Sequence, residues 1–255
     1  MSNSIPLSIC IPSHRNYKLK ACLDKIIPVC KEFSLPICIC DNDDSASCSF
    51  DVSCYDYENI TYIKNEENIG ADRNMIKVIE VAKTDYIFWL GDDDFFTRDT
   101  IIGIEEAMHR YAGGLDMLLL GFNDSHSNCQ QWNDVLQFYL EYEPNPIYFG
   151  NIVLKKSPNT TFDMHRYDGS LHAYYAYILE MLSQKESCTI VVDERISMTR
   201  NTKDKSWKGL FNVMLFCVPK FYKTLPEPFH SYWKKMVLKR YFYYIRKIIH
   251  GKSYN

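Results

Sequence analysis

The sequence lacks several patterns that mark secreted, metal-stapled or disordered proteins. Ten of its 255 residues are cysteine, yet no two of them have the CxxC spacing of a zinc knuckle. Cys38 and Cys40 alternate with isoleucine, and Cys10 lies in a similar apolar run, so we expect these thiols inside buried strands. The N-terminus also lacks a signal-peptide pattern. These absences together favour a cytoplasmic protein with reduced cysteines.

Glycine and proline are scarce, with ten of each, and the chain contains no low-complexity tract and no repeat of fixed period. Hydrophobic residues make up 46% of the sequence, which is enough for a full core. This composition excludes the disordered and fibrous classes. The length fits one large domain or two small ones.

Acidic residues are nearly absent from the C-terminal segment. Residues 200–255 contain 13 lysines and arginines but only two acids, Asp204 and Glu227, so the segment carries a formal charge of +11. Residues 1–199 hold the remaining 16 basic and 30 acidic residues, a formal charge of −14. This division predicts an anionic partner for the tail.

Strand-like and helix-like segments alternate through the first half of the chain. Apolar runs predict strands at residues 7–11, 37–40, 60–63, 86–90 and 117–120, and helical spacing predicts helices at 17–31, 71–82 and 100–111. The alternation predicts an α/β fold with a doubly wound, mostly parallel sheet.

The pattern weakens after residue 121. Residues 123–146 show no clear periodicity, whereas strands are predicted at 147–154 and 189–192 and a helix at 171–182. From residue 207 onward the chain is aromatic, basic and helical in pattern. We therefore divide the chain into a domain at 1–200, with halves at 1–122 and 123–200, and a basic helical tail at 201–255.

Three consecutive carboxylates follow the predicted strand at 86–90. Gly91 ends the apolar run, and Asp92, Asp93 and Asp94 come next. Ligands of open α/β sheets bind beyond the carboxyl ends of the strands. Adjacent carboxylates repel one another unless a cation lies between them, and Mg²⁺ or Mn²⁺ prefers such oxygen ligands. The alternative is an acidic turn that caps the helix beginning near Asp99.

Four motifs occur in order at the ends of successive predicted strands. They are LSICIPSHRN at residues 7–16, CDND at 40–43, NIGADRN at 68–74 and LGDDD at 90–94. Together they resemble family 2 glycosyltransferases with the GT-A fold, and most closely the abequosyltransferase-like branch that builds O-antigen. The resemblance covers roughly residues 5–125. It implies an inverting transferase that uses a nucleotide-sugar donor and a divalent cation, Mn²⁺ or Mg²⁺.

The resemblance also implies roles for individual residues in the first half. The donor nucleotide and diphosphate would be bound by Pro12, Ser13, His14, Arg15, Asp41, Asn68, Gly70, Asp72, Arg73 and Asp92, and the metal by Asp93 and Asp94. The chain departs from the family where His14 and Arg15 replace a Tyr-Asn pair and where Gly91 replaces the first aspartate of the acidic motif.

Several of these roles also follow from the residues themselves. A carboxylate such as Asp41 can accept a nucleobase N–H. Asp72 and Arg73 lie in the first turn of a predicted helix, where anions bind and where an arginine can reach a diphosphate. The alternatives are a turn-forming Asp41, an Asp72 that pairs with the helix dipole, an Asn68 that accommodates a turn, and an Arg15 that is a solvated loop charge.

An inverting displacement needs a general base for the acceptor hydroxyl. Relatives often supply it from a Glu-Asp pair, which is absent from the matching stretch, residues 166–174. We therefore predict Asp168 as the base, with His172 as the second candidate. Asp168 could instead cap the following helix, and His172 could be a packed helix residue.

Two further expectations concern the C-terminal part. Arg200, Asn201 and Trp207 fit a loop that closes over the diphosphate, or simply a linker to the tail. Residues 229–249 interleave aromatic and aliphatic residues with six basic residues and no acid, a pattern typical of an amphipathic helix on an anionic membrane surface. A homodimer interface, RNA binding or an ordinary packed helix are alternatives, and nucleic acid is the least favoured of these partners.

We therefore expect a cytoplasmic glycosyltransferase that associates peripherally with the inner face of the bacterial inner membrane. Its expected partners are a nucleotide-sugar donor and a glycan acceptor, with a lipid-linked glycan favoured, in lipopolysaccharide or capsule synthesis. A nucleotidyltransferase is disfavoured because residues 11–16 contain no glycine. A catalytically inactive relative that binds nucleotide or membrane stays open as the alternative, since Gly91 and the missing Glu-Asp pair are both losses.

Overall fold

A computed structural model describes residues 5–43, 50–111, 114–122, 128–142, 147, 149–157, 162–199 and 212–249. The strands are β1 (Leu7–Ser13), β2 (Ile37–Asp41), β3 (Ile60–Lys64), β4 (Tyr86–Trp89), β5 (Met117–Phe122), β6 (Cys129–Trp132), β7 (Ile152–Lys155) and β8 (Ile190–Met198). They form one eight-stranded sheet in the order β3-β2-β1-β4-β7-β5-β8-β6.

The sheet is mixed but mostly parallel in its first half. β1 pairs in parallel with both β2 and β4, and β2 with β3. β7 runs antiparallel between β4 and β5, which joins the two halves of the chain edge to edge. β8 pairs in parallel with β5, and β6 pairs antiparallel with β8 at the outer edge. The predicted α/β class and doubly wound sheet are confirmed.

Helices cover both faces of this sheet. They are α1 (Asn16–Phe33), α2 (Ala71–Val81), α3 (Arg98–Arg110), α4 (Val135–Tyr142), α5 (Ala173–Ser183), α6 (Val218–Thr224) and α7 (Trp233–Ile249). The side chains of α1 and α3 pack in one apolar cluster with alternate strand residues. Those of α2, α4 and α5 pack in a second cluster on the opposite face, which includes Cys10, Cys38 and Cys40. Alternation along buried strands explains why neighbouring residues enter different clusters.

The tail helices belong to the second cluster. Val218 and Phe221 on α6, Phe229 before α7 and Met236 on α7 are all buried there. Lys239 on α7 also donates to the Leu140 carbonyl oxygen of α4 over 2.8 Å. Within the described ranges, no helix has both the length and the hydrophobicity needed to cross a membrane. One face of the tail is therefore part of the protein interior.

The elements after residue 122 depart most from expectation. β6 and α4 lie in the stretch for which no periodicity is visible, because three of the four β6 residues are exposed on an edge strand. The strand predicted at 147–154 is shorter and later, at 152–155, because Gly150 turns the backbone with a φ of 112° just before it. β8 continues to Met198, well past its buried start.

Candidate active site

The candidate site lies at the carboxyl ends of β1 and β4. These strands are neighbours although β2 and β3 come between them along the chain, so the strand order reverses here. Such reversal points leave a crevice in which α/β proteins bind ligands. A cavity of about 520 Å³ occupies the crevice. Its lining residues are Pro12, Ser13, His14, Arg15, Lys18, Asn42, Asn68, Ala71, Asn74, Met75, Gly91, Asp92, Asp93, Asp94 and Phe149.

Asp92 joins the two strand ends across the crevice. Its carboxylate accepts from the Arg15 guanidinium, from the His14 backbone N–H at 3.3 Å and from the Ser13 hydroxyl at 3.4 Å. Burial opposes the charge on Arg15, but hydrogen bonding to Asp92 and the nearby Asp93 outweigh it and raise the pKa of Arg15. The loop that follows β1 is thus held in place by the first acid that follows β4.

Asp93 is the most exposed member of the acidic triplet, with 23% of its side chain accessible. The Lys18 ammonium lies 3.0 Å from its Oδ2, and Arg15 Nη2 lies 3.5 Å from the same oxygen. Lys18 comes from the first turn of α1 and is only 5% exposed. Two cations of this chain therefore already partly neutralise the triplet.

Asp94 is buried and lies against two glycines. A Cβ atom at Gly91 or at Gly150 would come within 2.8 Å of its Oδ2. Gly150 also has a φ of 112°, which favours glycine. This packing gives a physical reason for the glycine that replaces the first aspartate of the motif, because a side chain at residue 91 would displace Asp94.

A network of carboxamides ties the ends of β1, β2 and β3 to the start of α2. Asn42 donates to Asn68 over 2.7 Å and accepts from Asn65 over 3.0 Å and from the Ile69 N–H over 2.9 Å. Asn74 donates to the carbonyl oxygens of Ser13 and Cys40, over 3.2 and 2.9 Å, and accepts from Asn65 over 3.0 Å. Asn42, Asn65 and Asn74 are buried, and connected networks of buried amides fix loop geometry.

Asp41 lies behind the cavity and does not line it. Its Oδ1 accepts from the Asp43 N–H at 2.9 Å, and its Oδ2 accepts from the Tyr62 hydroxyl at 2.5 Å and the Lys64 ammonium at 3.2 Å. The side chain is fully buried. Its predicted contact with a nucleobase stays a prediction, and the structure gives it these internal partners.

Asp72 and Gly70 also lie outside the cavity lining. Gly70 has a φ of 83° directly before α2. Asp72 is buried, and its two oxygens accept from the backbone N–H groups of Leu171 and Ala173, each over 3.0 Å. Burial raises the pKa of Asp72, although these N–H bonds lower it. The carboxylate thereby satisfies N–H groups at the start of α5, and it holds Leu171 at a φ of 60°.

Arg73 binds the loop before α5 instead of pointing into the cavity. Its guanidinium pairs with Asp168, and its Nη2 lies 3.2 Å from His165 Nδ1. The hydrogen bond from Arg73 lowers the pKa of Asp168. The Lys220 ammonium of α6 donates to the Asp168 carbonyl oxygen. Asp168 is therefore an ionised carboxylate with a cationic partner.

His172 is packed and neutral. Its Nδ1 donates to the Ser170 carbonyl oxygen over 2.7 Å, and its ring stacks on Phe221 at 5.3 Å between centroids. Burial lowers its pKa to about 4. Neither His172 nor Asp168 is among the residues that line the cavity. Arg200, Asn201 and Trp207 lie outside the described residues.

The profile of the family described as "Glycosyl transferase family 2" matches residues 8–165. The chain belongs to glycosyltransferase family 2. The match includes the motifs at 40–43, 68–74 and 90–94 and all but the first residue of the motif at 7–16, and it ends at residue 165, before Asp168 and His172. The family prediction is confirmed.

Abequosyltransferase RfbV of Salmonella typhimurium (strain LT2) is similar in sequence to part of this chain. It is 28% identical over 100 residues, which cover 37% of this chain and 30% of that protein. The match thus spans about a third of the relative's length. The similarity supports the predicted resemblance to abequosyltransferase-like enzymes. The reaction that this chain catalyses is a proposal.

Several solved structures share the architecture. TarS 1–349 of S. aureus superposes with a TM-score of 0.57 at 12% identity, over 98% of this chain and 93% of TarS. Mannosyltransferase PcManGT of Pyrobaculum calidifontis, solved with GDP-Man and Mn²⁺, gives 0.56 at 11% identity over 94% and 64%. GalNAc-T7 with UDP, GalNAc and Mn²⁺ gives 0.58 at 9% identity over 91% and 50%. These identities support the GT-A fold of this glycosyltransferase and no more.

The acidic triplet of this glycosyltransferase can accommodate a divalent cation. In the described ranges, no group of three or more His, Cys, Asp or Glu side chains is arranged to hold a metal ion by itself. Mg²⁺-type sites, however, are commonly built from one or two carboxylates that are completed by water and substrate phosphates. Asp93 and Asp94 both line the cavity. The donor set therefore fits, provided that a phosphate ligand contributes.

The sequence indicates about half of this site. Eight predicted residues line the cavity, namely Pro12, Ser13, His14, Arg15, Asn68, Asp92, Asp93 and Asp94. Lys18, Asn42, Asn65 and Asn74 form part of the site or its support without having been predicted. Of these residues, Asn42 and Asn74 could have been predicted, because they lie in the motifs at 40–43 and 68–74. Lys18 lies in a predicted helix and has no pattern that marks it as a site residue.

Proposed function

We propose that the protein is a metal-dependent, inverting glycosyltransferase. It would transfer a sugar from a nucleotide-sugar donor to a bacterial surface glycan of the O-antigen or capsule kind. The observation that carries this proposal is that the loop after β1 and the carboxylates of Asp92, Asp93 and Asp94 line the same cavity between β1 and β4. PcManGT and GalNAc-T7, which share the fold, were solved with a sugar nucleotide or its parts together with Mn²⁺, and this supports the same ligand class here.

The donor half of the reaction would use the cavity residues. The loop of Pro12, Ser13, His14 and Arg15 would lie against the nucleoside, with Asn68 at the helix start and Asp92 toward the ribose or sugar. Asp93 and Asp94 would hold the cation. A bound divalent cation stabilises the charge that develops on the leaving diphosphate. The roles of Asp41, Gly70, Asp72, Arg73 and Arg200 in donor binding remain predictions.

Asp168 is the base that we propose for the acceptor hydroxyl. It is partly exposed, ionised and held by Arg73 in the loop before α5. The low pKa makes it a weak base, so acceptor binding would have to displace Arg73 for efficient proton transfer. His172 is the second candidate, because its Nδ1–H donates to Ser170 and leaves Nε2 as an acceptor.

The acceptor is proposed to be lipid-linked and met at an anionic membrane surface. Leu238, Phe242 and Ile245 lie on the outer face of α7 and are 55%, 64% and 45% exposed. Their spacing of four and three residues places them on one stripe. Exposed Lys235 and Arg246 lie beside this stripe. An apolar stripe with flanking cations is typical of helices that lie in a membrane interface.

The function is tested with purified protein and a panel of nucleotide sugars. Each sugar nucleotide is added with Mn²⁺, with Mg²⁺ or with EDTA, and thermal stabilisation is measured. We expect stabilisation by one base class that depends on the cation, followed by sugar transfer to a lipid-linked glycan extract from Gram-negative bacteria. Stabilisation without any hydrolysis or transfer would support the inactive, nucleotide-binding alternative. No stabilisation by any donor would contradict both.

A further inference from the structure

Lys18 is a buried cation in the wall of the proposed donor cavity. It lies in the first turn of α1 and is 5% exposed, and it lines the cavity together with Arg15 and the three aspartates. Burial of an ammonium is costly unless a carboxylate compensates it. Asp93 supplies that carboxylate at 3.0 Å. Apolar side chains in place of a buried ion pair are often equally or more stabilising, so stability alone does not account for this pair.

The charges in the cavity wall show what Lys18 can do. Three carboxylates face two cations, Arg15 and Lys18, and Arg15 is committed to Asp92 through its guanidinium. Lys18 is bonded to Asp93, the residue proposed to hold a divalent cation. A metal ion that approaches Asp93 without a nucleotide therefore meets a positive charge at close range, which weakens its binding. A diphosphate brings negative charge to the same place and offers Lys18 a new partner.

We propose that Lys18 binds the donor diphosphate and that Asp93 holds its ammonium until the donor arrives. This inference rests on the proposed function. It assigns Lys18 as a binding and positioning residue and makes metal and nucleotide binding cooperative, because each releases the partner that the other needs. By linkage, the two ligands must strengthen each other's binding by the same factor.

The test compares Lys18→Met, Lys18→Arg and the control Lys20→Met. Lys20 lies on the outer face of α1 and pairs with Asp24 at 2.9 Å. Mn²⁺ affinity is measured by electron paramagnetic resonance with and without UDP, GDP or CDP, whichever binds the wild-type protein. Nucleotide affinity is measured by calorimetry with Mn²⁺ present.

We expect Lys18→Met to change the two affinities in opposite directions. Mn²⁺ alone should bind roughly three- to tenfold more tightly, because Asp93 loses the nearer of its two competing cations. The nucleoside diphosphate with Mn²⁺ should bind about tenfold more weakly. Lys18→Arg should retain nucleotide binding within about threefold, and Lys20→Met should change neither affinity. A loss of both affinities together, or no change in either, would overturn the proposal.

A complementary variant protects the test against misfolding of Lys18→Met. Asp93→Asn releases Lys18 from its carboxylate, so metal-free nucleotide binding should tighten by about threefold or more. Unchanged or weaker metal-free binding would contradict the inference. If the wild-type protein binds no nucleoside diphosphate, the proposed function fails, and inorganic pyrophosphate then replaces the nucleotide as the probe for Lys18. If the wild-type protein binds a nucleotide and Lys18→Met binds it equally well, only the Lys18 inference fails.

Discussion

Individual residues of the site are held by neighbours that are distant in sequence. Asp94 lies against Gly150, which comes from the strand connection before β7, and Asp72 bonds to N–H groups about a hundred residues away. Such contacts carry no local sequence signal, because a single aspartate in a helix start is equally compatible with solvent exposure. The identity of the acids is thus predictable from the motif, whereas their partners require the fold.

Asp94→Asn and Asp93→Asn are each expected to reduce transfer by about a hundredfold or more. The amide keeps the shape that fits beside Gly91 and Gly150 but removes the charge that holds a divalent cation. Turnover and Mn²⁺ affinity are measured beside the melting temperature, which should change little. Asp99→Asn, at an exposed position of α3, is the control. Full activity in both variants would contradict the metal assignment.

His172 is expected to make the protein less stable in mild acid. Its pKa is about 4 when folded and 6.5 in a model peptide, so the unfolded chain binds more protons between these values. Stability from this group is complete above about pH 6.5 and is lost as the pH falls toward 4. Allowing for partial exposure of the ring, wild type should lose about 2 kcal/mol more than His172→Asn between pH 7 and 4.5.

The measurement is urea unfolding at both pH values. The asparagine amide can still donate to the Ser170 carbonyl oxygen, so the packing at the start of α5 is preserved. His165→Asn serves as the control because 76% of that side chain is exposed. An equal pH dependence in wild type and His172→Asn would show that His172 titrates normally in the folded protein.

At the scale of elements, the first turn of α2 organises the approach to α5. Asp72 holds the backbone at Leu171 and Ala173, while the adjacent Arg73 holds Asp168. The N-terminus of α2 therefore fixes the loop that contains both predicted bases. A change at Asp72 or Arg73 would reach this loop without altering a residue that lines the cavity.

Asp72→Ala should destabilise the protein by about 3 kcal/mol. It leaves two backbone N–H groups without acceptors in a buried place and frees Leu171 from its left-handed conformation. Urea unfolding gives the free energy, and Glu80→Ala on the exposed face of α2 is the matched control. A loss below about 0.5 kcal/mol would indicate that water replaces the carboxylate.

The elements differ in how far sequence alone could predict them. β1, β2, β4 and β5 are buried runs of apolar residues between helices, and their positions are predicted to within two residues. β6 is short and its first three residues are exposed, so the sequence shows no buried apolar run at this place. The insertion of β7 between β4 and β5 could not be predicted either, since local patterns specify a strand but not its partners.

At the scale of the whole molecule, helix α7 of the basic tail has one buried face and one exposed face. Met236 and Arg240 of α7 are buried against the domain, and the opposite stripe of Leu238, Phe242 and Ile245 is exposed. Deletion of the tail would therefore open the core and could not test membrane binding cleanly. Substitution of the outer stripe leaves the buried face intact.

The triple variant Leu238→Ser, Phe242→Ser and Ile245→Ser should release the protein from anionic vesicles. Burial of these side chains in the interface contributes to binding together with the flanking cations, so we expect at least a tenfold loss of affinity. Co-sedimentation with phosphatidylglycerol vesicles measures it, with phosphatidylcholine vesicles and an unchanged melting temperature as controls. Undiminished binding would assign the stripe to another contact, such as a second copy of the chain.

β7 comes from the later half of the chain, and its place beside β4 limits how this enzyme can be cut into fragments. β7 pairs with β4, and the residues just before it, Phe149 and Gly150, close the wall beside Asp94. A fragment that ends near residue 122 would leave this edge of β4 unpaired and would lack this part of the wall. The proposed donor site therefore cannot be separated from the later half of the chain. Exchange of the later segments between relatives should therefore also alter donor affinity, unless the recipient protein keeps its own Phe149 and Gly150.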